Sequence, residues 1–151
     1  MFKLKKSLGQ NFLVDKNIIN KIVSVEILKN QNVIEIGSGS GNLSKIIIQK
    51  GIKNFLAIEK DERFCDLLGK EYVSSKNICF ENKDILKKDL NKIDLKNVIV
   101  FGNLPYNIST QILAKWIKMR ELNKFSKKFI LMFQKEVADR IIAESNSKKY
   151  G

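Results

Sequence analysis

The 151-residue sequence contains no histidine, one proline and two cysteines. Without an imidazole, no histidine-based triad can be built from this chain. The two thiols, Cys65 and Cys79, stand in different predicted elements with no CxxC spacing, which excludes a zinc site as well. Cysteines so few and so placed suit a reducing compartment, and the cytoplasm is the expected location. No apolar run reaches the length of a membrane span, and no signal-peptide pattern opens the chain. Carboxylates are scarce too: 16 Asp and Glu stand against 28 Lys and Arg, giving a net charge of +12 and a pI near 9.7. Such an excess points to a polyanionic partner. Most of these residues are Lys, however, in a chain also rich in Asn and Ile. An AT-rich genome writes that composition whatever the function, so charge alone leaves nucleic-acid binding open.

What the chain does have is regular alternation. Its length suits one domain with a real core. After a basic opening segment, Met1–Ser7 with Lys3, Lys5 and Lys6, Asp15 is placed to cap a helix running to about Leu28. That helix would carry Ile18, Ile19, Ile22, Val23 and Ile27 on one face. Apolar runs of strand length then occur at Val33–Ile36, Phe55–Ile58, Ile78–Phe80, Val98–Phe101 and Phe129–Phe133. Helical stretches lie between most of them, at Leu43–Gln49, Glu62–Tyr72 and Ile108–Met119, and a last one at Lys135–Glu144. Strands alternating with helices predict an α/β fold with a doubly wound parallel sheet. Parallel strands in a row leave an edge bare at the carboxyl-terminal side. The chain also stops straight after a helix, so it is expected to be part of a longer protein.

The first candidate site is a glycine loop. Residues 33–42, Val-Ile-Glu-Ile-Gly-Ser-Gly-Ser-Gly-Asn, read as a buried strand entering a turn and then a helix. Gly37, Gly39 and Gly41 allow close backbone approach to a ligand, and the helix amino end offers free N–H groups. Asn42 stands where the dinucleotide fingerprint needs Gly or Ala, and no Lys-Ser or Lys-Thr follows for a P-loop. Glu35 would repel a pyrophosphate but suits a ligand carrying an ammonium and a sulfonium, which points to S-adenosylmethionine. Glu59 ends the second strand, where an acid accepts hydrogen bonds from ribose hydroxyls. Asp84, followed by Ile85 after the third strand, is placed to accept from an adenine amine.

The second candidate site is Asn103-Leu104-Pro105-Tyr106, which closes the fourth strand and contains the only proline. Ligands of open α/β sheets bind at the carboxyl ends of strands. An amide, a rigid turn and an aromatic ring together suit gripping a planar base by its exocyclic amine. The Asn103 side-chain oxygen and the Leu104 carbonyl would each accept one N–H of that amine, and Tyr106 would stack on the base.

With these residues in view, the chain resembles the ribosomal RNA adenine N6,N6-dimethyltransferase family, its small-subunit branch in particular. The resemblance runs from Ser7-Leu8-Gly9-Gln10-Asn11-Phe12-Leu13 through Glu35–Gly41, Glu59, Asp84 and Phe101–Ser109 to Phe133–Ala138. It implies a Rossmann-like class I methyltransferase sheet that uses S-adenosyl-L-methionine, no metal, and a role for Asn11, Leu13, Gly37, Glu59, Asp84 and Asn103 in holding the cofactor. Gln10 matches a neighbouring motif position. The implied substrate is a pair of adjacent adenosines in a hairpin loop near the 3′ end of small-subunit ribosomal RNA, each methylated twice. The implied setting is a monomer acting on that RNA or on the pre-ribosomal small subunit. Lys5, Lys6, Lys135 and Arg140 are candidates for phosphate contacts. Family members continue past Tyr150-Gly151 with further strands and a helical domain, so residues 1–151 are expected to be the cofactor-binding catalytic domain. Two other readings stay open. One is the sister branch that methylates large-subunit ribosomal RNA, against which Leu8-Gly9 and Gln134–Val137 speak. The other is a noncatalytic assembly factor on the same fold.

Overall fold

The computed structural model describes residues 12–148 and 150. Five strands form one sheet: β1 (Asn32–Ile36), β2 (Asn54–Glu59), β3 (Ile78–Asn82), β4 (Val98–Asn103) and β5 (Ser126–Met132). Their order is β3-β2-β1-β4-β5 and every neighbouring pair is parallel. The chain therefore winds outward from β1 to β3, then returns to place β4 on the other side of β1. Ligand sites form at this reversal, above the carboxyl ends of β1 and β4.

Among the described residues six α-helices accompany the strands: α1 (Lys16–Val23), α2 (Asn42–Ile48), α3 (Glu62–Glu71), α4 (Ser109–Ile117), α5 (Leu122–Phe125) and α6 (Lys135–Ile141). Alternate residues of each central strand feed opposite faces of the sheet. Val33, Phe55, Ala57, Ile99 and Phe101 pack with Ile19 and Val23 of α1 and Leu43 and Ile47 of α2. Ile34, Ile36, Ile58, Val98 and Val100 pack on the other face with Ile112 and Trp116 of α4 and Phe125 of α5. Burial on both faces is why these strands read as continuous apolar runs. The Trp116 ring lies 5.2 Å from that of Phe129 and fastens α4 to β5. Among the described residues, no helix is long and apolar enough to cross a membrane.

The expected helix from Asp15 to Leu28 is five residues shorter than predicted, ending at Val23. Asp15 does cap it, accepting from the Asn17 and Ile18 amides at 2.8 and 3.2 Å. The Ser24 hydroxyl then donates to the Lys21 carbonyl, and a turn closes from Gln31 N–H to Leu28 O at 3.0 Å. That turn seats Leu28 in the core, with Asn30 in the left-handed region, and leaves Ile27 78 % exposed instead of on the apolar face. Glu26, freed from a helix, pairs with Lys128 on β5. β5 begins three residues before the apolar run, because Ser126 donates from its hydroxyl to the Val98 carbonyl and starts the ladder with exposed lysines. The last helix ends at Ile141, short of Glu144. α5 and a 3₁₀ turn at Leu90–Lys92 are too short to show a periodic pattern.

Gly41 precedes α2 with φ +81°, and a Cβ there would lie 2.5 Å from Leu68 Cδ2, a fully buried side chain of α3. Gly41→Ala is expected to cost about 2–4 kcal/mol through left-handed strain and overpacking together. Urea unfolding reads this directly, and a loss below about 0.5 kcal/mol would remove the packing role.

Candidate functional site

A cavity opens above the carboxyl ends of β1 to β4, and most of the residues singled out from the sequence converge on it. Its floor is the turn after β1. Gly37 has φ +76° and donates from its N–H to the Ile58 carbonyl at 2.9 Å. A Cβ on Gly37 would sit 3.2 Å from the Asn103 carbonyl oxygen, so a side chain there would force the ends of β1 and β4 apart by a few tenths of an ångström. Gly39, with φ +50°, faces the Phe12 ring at 3.3 Å from its would-be Cβ. Gly37, Gly39 and Leu13 line the cavity. Gly41 does not line it: this predicted cofactor residue serves the α2–α3 contact described above.

Glu59, at the tip of β2, is 6 % exposed and lines the same wall. One carboxylate oxygen accepts from the Gly39 N–H at 2.8 Å and the other from the Asp61 N–H at 2.7 Å. The side chain thus pins the glycine loop to the β2–α3 junction. Burial raises its pKa, against the pull of those amides. Glu35 is deeper, 1 % exposed, and accepts from the Ser44 hydroxyl at 2.6 Å. Burial pushes its pKa up to about 7, the Ser44 bond opposes this, and the neighbouring Glu59 charge adds to it. Asp84 behaves oppositely. Lys60 holds its carboxyl below the usual range through a 2.9 Å ion pair, and the Leu86 N–H donates to its other oxygen at 3.0 Å. Ile85 lies beside it in the cavity wall, 6 % exposed.

Across the cavity stands the Asn103–Tyr106 segment. Asn103 and Pro105 line the cavity. Leu104 turns away: its side chain is 1 % exposed in the core with Ile112 and Trp116, so only its backbone is available to a ligand. Tyr106 is 41 % exposed and does not line the cavity. The segment is closed by a turn from Ile108 N–H to Pro105 O at 3.1 Å, directly before α4. Lys135 and Arg140 are exposed on α6. Gln10, Asn11, Lys5 and Lys6 lie outside the described residues.

Several cavity residues were not singled out from the sequence. Ser38 is 6 % exposed, and its hydroxyl has no hydrogen-bond partner among the described residues. Its place between two left-handed glycines was the available signal. Phe12 also lines the cavity and packs edge-on against Phe64 at 5.3 Å. Lys60 and Asn107 carry no pattern beyond adjacency to Glu59 and Tyr106.

Comparison with known proteins bears on the family and the fold. A family model described as "Ribosomal RNA adenine dimethylase" matches residues 1–151. The curated "Ribosomal RNA small subunit methyltransferase A" of Pelagibacter ubique is 49 % identical over 149 residues, 99 % of this chain and 56 % of that protein. The protein of the same name from Mycoplasma mobile is 45 % identical over 97 % of this chain and 55 % of its own length. The chain thus spans about half the length of the curated relatives it matches. A crystal structure of a dimethyladenosine transferase from Plasmodium falciparum superposes with a TM-score of 0.78 at 29 % identity, over 93 % of this chain and 49 % of that one. The fold is that of the class I methyltransferases, and the chain belongs to the ribosomal RNA adenine dimethylase family.

Proposed function

We propose that the protein transfers methyl groups from S-adenosylmethionine to the N6 atoms of two adjacent adenosines near the 3′ end of small-subunit ribosomal RNA. The observation that carries this reading is the convergence of Glu35, Glu59 and Asn103, from β1, β2 and β4, and of Asp84, from the turn after β3, on one cavity. Within it, residues 1–151 are the cofactor-binding catalytic domain.

The cavity's donor set fits the cofactor. Buried carboxyls suit a cationic ligand, and the unpartnered Ser38 hydroxyl gives a polar group of that ligand something to bind. Glu35 faces the ammonium and sulfonium, Glu59 accepts from the ribose hydroxyls, and Asp84 with Ile85 holds the adenine. Leu13, Gly37 and Gly39, with Gln10 and Asn11 from the amino-terminal motif, complete the cofactor's surroundings. When bound, the cofactor supplies an electrophilic methyl on a positively charged sulfur.

The adenine amine is a poor nucleophile because its lone pair is delocalised into the ring. Asn103 Oδ1 and the Leu104 carbonyl each accept one of its N–H groups, which frees the lone pair from conjugation. The same two acceptors stabilise the positive charge that grows on nitrogen as the C–N bond forms, a preorganised electrostatic effect. Pro105 fixes the turn, and the exposed Tyr106 ring stacks on the target base. The methylated ammonium then loses its proton to water, so no histidine is required. Lys135 and Arg140, with the amino-terminal lysines, grip phosphates. The large-subunit alternative is disfavoured because the curated relatives above are named for the small subunit.

Incubating a full-length form of the protein with labelled cofactor and unmodified subunits is expected to label small-subunit RNA alone. Label in the large-subunit RNA would transfer the assignment to the sister branch, and label in neither would favour a noncatalytic factor. In a full-length context Asn103→Ala is expected to slow transfer by about a hundredfold or more, as for loss of one oxyanion-type partner, with little change in RNA affinity. Near-normal turnover in the variant would remove the acceptor role.

A raised pKa means that ligand-free Glu35 is half protonated near pH 7. A cationic ligand selects the ionised form, so binding near neutrality releases a proton. Affinity relative to Glu35→Gln should therefore climb between about pH 6 and about pH 8. Calorimetry in two buffers of different ionisation heat measures the released proton, and a buffer-independent heat would take Glu35 away from the cation.

A further inference from the structure

We infer that Lys115 is a positioning residue that sets the cavity's affinity for adenosine by clamping the Asp84 turn to helix α4, an inference that rests on the adenosine reading proposed above. Asp84 opens a single tight turn. Its side chain accepts from the Leu86 N–H, and its carbonyl accepts from the Lys87 and Lys88 N–H groups at 3.0 Å each. Such a turn is too short to satisfy its own trailing carbonyls. Those of Ile85, Leu86 and Lys88 converge instead on one ammonium, Lys115 Nζ, at 3.4, 2.7 and 2.7 Å. An ammonium carries three donors and no acceptor, so this set matches its full capacity.

The tether joins the two walls of the cavity. On one side, Asp84, Ile85 and Leu86 line it. On the other, α4 follows directly from the segment containing Asn103, Pro105, Asn107 and Ile108, which line the opposite wall. Lys115 reaches across 27 to 30 residues of sequence and is partly buried beside Trp116, the core anchor of α4. Among the described residues no carboxylate pairs with it, so its charge is directed wholly to the turn's carbonyl dipoles. A cation there favours the turn as it would the carboxyl end of a helix. Without it, three carbonyls must find water, and the turn that aims Asp84 and Ile85 loses its fixed distance from α4. Lys115 touches no reacting atom, so its effect falls on cofactor affinity and not on the chemical step.

The test compares this chain with Lys115→Met, which keeps an unbranched stem and removes all three donors at a partly exposed helix position. Calorimetry with S-adenosylhomocysteine and with adenosine is expected to show about tenfold weaker binding of both, the loss usual for hydrogen bonds to a charged group. Hydrogen exchange at the Lys87 and Lys88 amides should quicken while β4 amides stay unchanged. Lys115→Arg, which retains a cation, should recover most of the affinity. Parental affinity in Lys115→Met would overturn the inference, as would a loss confined to S-adenosylhomocysteine. An arginine variant as weak as the methionine one would trace the loss to packing and overturn it too. A parent chain that binds neither ligand would overturn the cofactor reading instead. Exchange at the two amides then decides the tether by itself, with unchanged rates refuting it.

Discussion

The ends of β1 and β4 meet so closely at Gly37 and Asn103 that a side chain on Gly37 would crowd the Asn103 carbonyl as well as strain the left-handed backbone, and the site depends on that contact. Parallel strands joined by long crossovers bring together segments far apart in sequence. Here the glycine loop and the Asn103 segment become adjacent through the ladder pairing Ile36 with Gly102. A β-carbon on Gly37 would press on the Asn103 carbonyl and shift the two halves of the chemistry by a few tenths of an ångström. The approach is fixed from below by Leu104 and from the side by Glu59, which draws the Gly39 amide toward β2.

Three carboxyls at the tips of three adjacent strands are held in three electrostatic states. Glu35 is buried, accepts from the Ser44 hydroxyl and feels the Glu59 charge, and its pKa is pushed up to about 7. Glu59 is buried too, but two backbone amides offset part of the cost of its charge. Asp84 keeps its charge because Lys60 lies against it. The gradient runs from the deep wall to the rim. It suits a ligand whose cationic end lies deep and whose neutral aromatic end lies near the surface.

Much of this was legible in the sequence, for identifiable reasons. The central strands sit between two helical layers, so Val33–Ile36 and Val98–Phe101 read as unbroken apolar runs, and their order in the chain sufficed to predict a parallel sheet. Asp15 and Glu59 announced themselves by chemistry at element ends. What stayed hidden depends on tertiary partners. Val23 ends α1 because Leu28 must reach the core through a turn closed from Gln31 N–H to Leu28 O and anchored by a bond from Asn30 N–H to Gly51 O. Gly41 looked like a ligand-facing glycine, and only the position of Leu68 on α3 reveals otherwise. Lys115 is one lysine among many in a basic chain, and its three carbonyl partners lie more than 25 residues away.

Leu104 ties the motif's geometry to the hydrophobic interior. Asn103 and Pro105 flank a side chain packed with Ile112 and Trp116, so the amide and the turn inherit their coordinates from the core. Conservative exchanges around these residues, of the kind interiors usually absorb by small adjustments, would shift the neighbouring amide by fractions of an ångström. Evolutionary drift is therefore less free in the layer beneath α4 than in the α1–α2 layer. There a repacked interior moves nothing that must meet a base, and sequence divergence among relatives should concentrate in that layer.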